Sequence, residues 1–265
     1  MNRAYTMKEA LLAFLVIAGF TVPGCMLPGT YRERTVAVRP VPPLDEYNIA
    51  ELNADGEWLT IAPYGRVWRP YVVAGWQPYS YGHWAYTDEG WVWDSYEPFG
   101  WIVYHYGSWY LSPEAGWVWI PGHGAWSPAR VQWAQYGGNV CWTPIAPRGV
   151  TVPRPWEQGA SSVWTAVREE DFTRDNVGER RLGRADIGIG DRRDRVLQRA
   201  PEPQDIEKRT NQRVQSVKVS REPVTVGKGQ FHKMRVPAAD AQRTEKYRKK
   251  VEKEVLKRPN QGEHR

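Results

Sequence analysis

The chain has few of the residues that form cross-links or catalytic centres. It carries two cysteines among 265 residues, Cys25 and Cys141, and Cys25 belongs to the leader segment described below. No intrachain disulfide is therefore expected. The sequence also lacks a phosphate-binding loop, a dinucleotide fingerprint, a Gly-x-Ser-x-Gly motif and an HExxH zinc motif. These absences exclude the best-marked enzyme classes, so we expect a protein that is not an enzyme and holds no cofactor.

Long hydrophobic runs are scarce as well. One apolar run, residues 10–20, follows Arg3 and Lys8, and it is too short and wrongly flanked for a membrane span. It ends in Val-Pro-Gly-Cys at residues 22–25, which resembles the lipobox of bacterial lipoproteins. That resemblance implies export, cleavage before Cys25 and acylation of Cys25 as a membrane anchor. An ordinary secretory signal is the alternative.

Tryptophan, in contrast, is abundant and periodic. All 15 tryptophans lie between Trp58 and Trp164, and through residues 58–142 they recur in columns with a period of about 25 residues, typical of repeat architectures. The first column is Trp58, Trp84 and Trp109, the second is Trp68, Trp93 and Trp119, and the third is Trp76, Trp101 and Trp126; Trp133 and Trp142 begin a fourth, degenerate copy.

Each copy reads as a β-hairpin. Aromatic and β-branched residues flank a short loop that closes on Gly65, Gly90, Gly116 or Gly138, where a left-handed residue is needed. Pro70, Pro121 and Pro144 follow the second-column tryptophans and are expected to end strands. The pattern predicts an all-β fold of four tandem hairpins, as an antiparallel sheet, a small barrel or a solenoid. Alternation along residues 101–109 predicts a further strand that is covered on both faces.

Charge divides the chain into regions. Residues 161–265 carry 26 Lys and Arg against 17 Asp and Glu, whereas residues 1–160 carry 10 against 13. The positive charge therefore lies in the tail, which we expect to be mostly disordered and to end in a helix. The predicted regions are a signal peptide at 1–25, a Pro-containing tether at 26–54, the hairpin domain at 55–147, an extension at 148–176 that can pack on the hairpins, a charged flexible region at 177–236 and a basic helix at 237–258.

Five residues are candidates for ligand binding. Trp91 with Trp93, and Trp117 with Trp119, are two residues apart on a strand, so each pair shares a face with indoles about 7 Å apart. Arg66 occupies the same repeat position as Trp91 and Trp117. A position that accepts arginine is not expected to be deep core, so we predict that Trp91 and Trp117 are exposed platforms. The alternative is that the tryptophans form the core of a small domain without disulfides.

Other polar residues give no catalytic or metal site. The histidines occupy different repeat positions, so no metal site is predicted. A glycosidase would use two carboxylates, but turn chemistry explains Asp88 and Glu89 equally well, so we assign no acid–base pair among the acidic residues near the hairpin loops, and an enzyme that acts on envelope polysaccharide is the third possibility. These residues are His83, His105, His123, Asp88, Glu89, Asp94, Glu97 and Glu114.

Three motifs resemble consecutive motifs of a tryptophan-rich bacterial family of unknown function, whose members are often exported and sometimes accompany FecR-like domains. They are residues 116–122, 126–133 and 140–147. The similarity covers residues 64–147 and departs from the family pattern at Arg130 and Cys141. It implies a fold class and export but no activity.

Together these features predict a cell-envelope lipoprotein, in the outer membrane and facing the periplasm, or alternatively secreted or at the cell surface. Its expected function is non-catalytic binding of a glycan such as peptidoglycan through exposed tryptophans. The alternative is a structural or assembly scaffold with buried tryptophans and protein partners. We expect the basic tail to contact anionic polymers, and export argues against nucleic acid as a partner.

Overall fold

A computed structural model describes residues 50–122, 125–155, 157–183, 197–218, 221–226, 229–234 and 238–256. The predicted signal peptide, Cys25, residues 26–49 of the predicted tether and His123 lie outside these residues, as do parts of the tail.

Four hairpins follow one another along the chain, each built from the predicted first and second tryptophan columns. They are β1 (Gly56–Ile61) with β2 (Gly65–Pro70), β3 (Gly82–Thr87) with β4 (Gly90–Ser95), β5 (Ser108–Ser112) with β6 (Gly116–Ile120), and β7 (Val131–Tyr136) with β8 (Asn139–Pro144). In every hairpin the first-column tryptophan lies directly opposite the second-column one: Trp58 and Trp68, Trp84 and Trp93, Trp109 and Trp119, Trp133 and Trp142. Such cross-strand aromatic pairs stabilise the register.

The turn chemistry follows the sequence prediction. Gly65, Gly90, Gly116 and Gly138 have φ values of 73°, 92°, 71° and 79°. A side chain disfavours this left-handed conformation, so glycine suits the positions that close the loops. β2 ends at Pro70 and β8 ends at Pro144, while β6 ends at Ile120, one residue before Pro121.

The four hairpins belong to three separate open sheets. The first and third hairpins join through the pairing of Trp68 with Trp119, which gives the strand order β1-β2-β6-β5. The second hairpin is a two-stranded sheet, and the fourth gains β9 (Thr165–Arg168) on the free edge of β8. Antiparallel β-structure is thus confirmed, and the strands within the described residues close no barrel.

The predicted strand over residues 101–109 is wrong up to residue 107. Gly100–Val103 forms the short helix α2, in which the amide of Val103 donates to the carbonyl of Phe99. Gly107 then takes a positive φ of 66°, and β5 begins at Ser108. The apolar alternation was a poor guide here because a fully buried segment is apolar on every side, whether helical or extended.

The remaining elements surround the hairpins. They are α1 (Ala50–Asn53), α3 (Pro203–Thr210), the hairpin β10 (Arg221–Val226) with β11 (Gly229–Met234), and α4 (Ala238–Val251), which continues as a π-helical turn at Glu252–Leu256. After α3, Ser216 makes a single parallel bridge to Tyr86 on β3. The described parts of the tail therefore hold more regular structure than their charged composition predicts.

The aromatic core includes residues from beyond the four hairpins. Phe172 is fully buried, and its ring centroid lies 4.7–6.1 Å from those of four tryptophans. Ile206 on α3 and Tyr247 on α4 belong to the same buried cluster. The polypeptide after the hairpins thus supplies part of the core on which the hairpins pack.

We expect Phe172→Ala to lower the free energy of unfolding by about 3–5 kcal/mol, because it removes a buried ring among four indoles. Leu197→Ala is the control, since Leu197 is 45% exposed, and it should change that free energy by no more than about 0.5 kcal/mol. Urea unfolding followed by far-UV circular dichroism measures both. Equal effects of the two substitutions would contradict this assignment of Phe172 to the core.

Candidate functional site

Three of the five predicted ligand-binding residues are buried. Trp93 and Trp119 have no exposed surface, and Trp91 is 6% exposed. The indole N–H of Trp119 donates to the carbonyl of Tyr106 at 2.9 Å. None of these three rings presents a face to solvent, so the predicted exposure of Trp91 is wrong.

Distant parts of the chain cover Trp91. Its indole N–H donates to the carbonyl of Pro201 at 2.7 Å, and Phe172 packs edge-on against its ring at 4.7 Å between centroids. Arg66, at the same repeat position, is exposed because it lies on a different sheet. Equivalent positions in the repeats therefore have different surroundings, so an arginine at one of these positions does not predict that the others are exposed.

The other two candidates, Trp117 and Arg66, lie on one face of the four-stranded sheet but far apart. Trp117 is half-buried, and the Arg66 guanidinium stacks on the ring of Trp58 at 4.5 Å from its centroid. Because β2 and β6 are antiparallel through Trp68 and Trp119, Arg66 and Trp117 lie on opposite sides of that pair. Four residues along a strand separate their levels, about 13 Å. The structure therefore brings the five candidates to no common surface.

A cleft beside α4 is the second candidate site. It has a volume of about 310 Å³. One wall contains Asp94, Glu97 and Trp101 from the second hairpin and α2, and the α4 wall contains Glu245 and Arg248. Carboxylates, a cation and an aromatic ring thus face one another across this cleft.

Glu97 is the chemically unusual residue of the cleft. It is 3% exposed, yet it carries an ionisable group. Its carboxylate accepts hydrogen bonds from the Tyr104 hydroxyl, the Trp76 indole N–H and the Ser95 hydroxyl, the last at 3.2 Å. β4 supplies Ser95, the end of α2 supplies Tyr104, and the loop after β2 supplies Trp76. Donors from three parts of the chain therefore converge on one buried acid.

Burial raises the pKa of Glu97 from 4.5 to about 7, although the hydrogen bonds from Tyr104, Trp76 and Ser95 and the hydroxyl of Tyr247 act in the opposite direction. Burial also raises the pKa of Tyr104, and the negative charge of Glu97 raises it further. Glu97 can thus take up or release a proton near neutral pH. The sequence pattern predicts no role for this acid, and its position inside the aromatic stretch 94–101 is the signal that could have indicated its burial.

A polar chain links the neighbouring β-hairpin to α4. Asp94 lies 4.0 Å from Nε2 of His83, and the other ring nitrogen of His83 lies 2.9 Å from the Tyr96 hydroxyl. Arg243 on α4 donates to the same hydroxyl at 2.5 Å and pairs with Asp175 at 2.6 Å. Helix α4 is therefore attached to the hairpin domain by directed polar contacts as well as by apolar ones.

Nucleophilic and metal chemistry find little support in the described residues. Burial raises the pKa of the Cys141 thiol to about 12, so it stays protonated at neutral pH, when a nucleophile would need to be a thiolate. Within the described parts of the chain, no three His, Cys, Asp or Glu side chains lie close enough together to hold a metal ion.

Comparison with known families gives a match over part of the chain. Residues 49–149 are similar to DUF6600, a family of unknown function, and the matched segment contains all four hairpins but not β9, Phe172, α3 or α4. No curated protein and no solved structure matches the chain. The expected resemblance to an uncharacterised family is confirmed in that general form; the association with FecR-like domains and the signal peptide stay predictions.

We expect the free energy of unfolding to fall as pH rises from 4.5 to about 7 because of Glu97. A carboxyl whose pKa is higher in the folded chain binds its proton more tightly there, so stability is greatest below 4.5 and the loss is complete above about 7. The loss is on the order of 3 kcal/mol. Glu97→Gln keeps a neutral group of the same shape and should remove this contribution.

The measurement is urea unfolding of both proteins at a series of pH values, with the difference between them isolating Glu97 from other titrating groups. A difference that does not vary with pH would contradict the neutral, buried state of this carboxyl.

Proposed function

We propose that the chain is a non-catalytic structural scaffold of the cell envelope, in which the tryptophans hold the fold together and protein partners contact its outer surface. One observation carries the proposal: many of the indole N–H groups form hydrogen bonds inside the molecule. Six of them donate to backbone carbonyls of the same chain at 2.7–3.0 Å, those of Trp68, Trp91, Trp109, Trp119, Trp142 and Trp164.

This arrangement differs from what sugar binding requires. A sugar-binding platform needs an accessible ring face, whereas Trp68, Trp109, Trp119 and Trp142 are at most 2% exposed. Indoles that are buried and hydrogen-bonded within the fold can contribute stability but cannot stack on a ligand. The abundance of tryptophan, which led to the expectation of glycan binding, is accounted for by the core.

Glycan binding is the second candidate function, and Trp117 favours it. This indole is half-buried on the face of the four-stranded sheet, opposite Leu111 on β5. Trp58 is also partly exposed, but the Arg66 guanidinium covers one face of its ring. A peptidoglycan contact would therefore depend on Trp117 and not on Trp91, Trp93 or Trp119.

The basic tail supports a weaker, electrostatic contact with anionic envelope polymers. Exposed cations on α4 and its continuation include Lys246, Lys249, Lys250 and Lys253. Attraction between such a surface and a polyanion is unspecific and decreases with salt. This contact would help to hold a scaffold near the cell wall without a specific glycan site.

Anchoring in the outer membrane, facing the periplasm, is part of the same proposal and rests on the leader segment that ends in Cys25. In the portion of the chain that the structure describes, no helix is both long and apolar enough to cross a bilayer.

Co-sedimentation with purified peptidoglycan tests the scaffold against glycan binding. The protein is Cys25→Ser, which cannot be acylated, compared with the same chain carrying Trp117→Ala or Lys249→Glu with Lys250→Glu. We expect no binding that survives high salt, and any binding at low salt to be lost in the lysine variant, because it arises from charge. Salt-resistant binding that Trp117→Ala abolishes, with its circular dichroism spectrum unchanged, would replace the scaffold by the glycan module.

Membrane fractionation and palmitate labelling in a Gram-negative host test the anchor. We expect the wild-type chain to incorporate label and to sediment with outer membranes, and Cys25→Ser to do neither, because the cysteine is the proposed acylation site. Unchanged labelling and membrane association of Cys25→Ser would contradict the lipoprotein proposal.

A further inference from the structure

Helix α4 docks on the hairpin domain through a narrow apolar stripe. Tyr247 and Val251 are 4% and 7% exposed, and Val255, in the π-helical turn, packs partly against the same core. The neighbouring basic side chains Arg248 and Lys249 are exposed. A helix held by so few buried side chains can open at a free energy below that of global unfolding.

The docked helix closes over Glu97. The ring of Tyr247 lies 4.8 Å from that of Tyr81 and 6.4 Å from that of Phe99, measured between centroids. The α4 side chains Thr244 and Arg248 line the cleft opposite Glu97. Undocking of α4 would therefore remove one wall of the cleft and admit water to the carboxyl.

Charged and titratable groups from the surrounding elements line the cleft with Glu97 or interact with its carboxyl. They are Tyr81 before β3, Asp94 on β4, Tyr104 and His105 after α2, and Glu245, Tyr247 and Arg248 on α4. Of these, Arg248 is the permanent cation, and it also interacts with Asp55, whose pKa it lowers against the larger effect of burial. The hydrogen bonds that Glu97 receives come from neutral donors, so its ionisation in the closed cleft is poorly compensated.

We propose that α4 is a pH-sensitive latch, which is docked while the Glu97 carboxyl is neutral and is released when that carboxyl ionises.

The direction in which pH changes the docking of α4 follows from the two environments of Glu97. With α4 docked, burial raises the pKa of Glu97 to about 7, against a smaller, opposite effect of the Tyr247 hydroxyl on α4, and access to water returns it toward 4.5. The docked state thus binds the proton more tightly, so rising pH favours release over the interval between these values. Below 4.5 the carboxyl is neutral in both states, and above about 7 it is ionised in both, so the docking equilibrium changes little outside this interval.

Arg243 provides a matched control because it holds α4 by a contact other than Glu97. Its guanidinium pairs with Asp175 at 2.6 Å and stacks over the Tyr96 ring at 4.8 Å. Asp175→Asn removes the ion pair and leaves the Glu97 carboxyl with its hydrogen-bond donors. This substitution should loosen α4 without changing the pH dependence of its docking.

Hydrogen exchange of the full-length chain between pH 5 and pH 8, corrected for intrinsic exchange rates, tests the latch. We expect protection of α4 amides in the wild type to fall by on the order of 10- to 100-fold over this range. In Glu97→Gln the protection of the α4 amides should stay constant within about threefold over the same range. Asp175→Asn should show lower protection of the α4 amides at every pH, and that protection should change with pH as it does in the wild type.

Amides of β8, a fully buried central strand, serve as the internal reference. Faster exchange of α4 than of β8, together with the pH slope, supports local release. Three results would overturn the latch. They are a loss of protection in α4 and β8 together, α4 protection in the wild type that does not change with pH, and α4 protection in Glu97→Gln that still falls with pH as in the wild type.

If Glu97→Gln does not fold, titration of the wild-type chain tests the proposal without a variant. With ¹³C-labelled glutamate carboxyls, one carboxyl should titrate near neutral pH with the same midpoint as α4 protection. Different midpoints, or no glutamate that titrates in this range, would overturn the proposal.

Discussion

Hydrogen bonds from buried indole N–H groups to backbone carbonyls connect distant parts of this chain, and the way in which the hairpins are held together depends on them. Strand pairing between different hairpins is sparse, since the second hairpin and the fourth belong to separate sheets. The indoles supply the missing connections. Trp142 donates to the carbonyl of Tyr79 and Trp91 to that of Pro201, each across more than 60 residues. Losing such a partner leaves a buried donor unsatisfied, so each bond restricts where a loop can lie.

Packing of apolar and aromatic side chains joins the tail to the repeats. The segment similar to a known family ends at residue 149, but Phe172, Ile206 and Tyr247 complete the aromatic cluster that its tryptophans begin. Four hairpins of large rings leave edges and gaps that their own short loops cannot cover. Residues from the tail fill these gaps, which explains how a region rich in charge can belong to a folded unit without being hydrophobic overall.

Glu97 is a buried acid beside this aromatic cluster. Three neutral donors hold its carboxyl, and burial raises its pKa to about 7, so it is a group of the interior that can respond to pH near neutrality. Side chains of α4 line the same cleft, so the proposed latch makes the cost of burying this carboxyl depend on that helix. The scaffold and the latch are therefore compatible: the tryptophans stabilise the hairpins, and the buried acid affects how the last helix is attached.

The sequence by itself determined the hairpins. Tryptophan columns, turn glycines and strand-ending prolines act over a few residues, so the four hairpins and the cross-strand tryptophan pairs follow from local chemistry, as does the helix near residue 238. Tertiary structure alone decided which side chains are exposed. Trp91 and Arg66 hold the same repeat position, yet one is covered by Phe172 and Pro201 and the other is exposed. It also decided that residues 100–103 are helical and that Glu97 is buried, because burial depends on distant segments that no local pattern identifies.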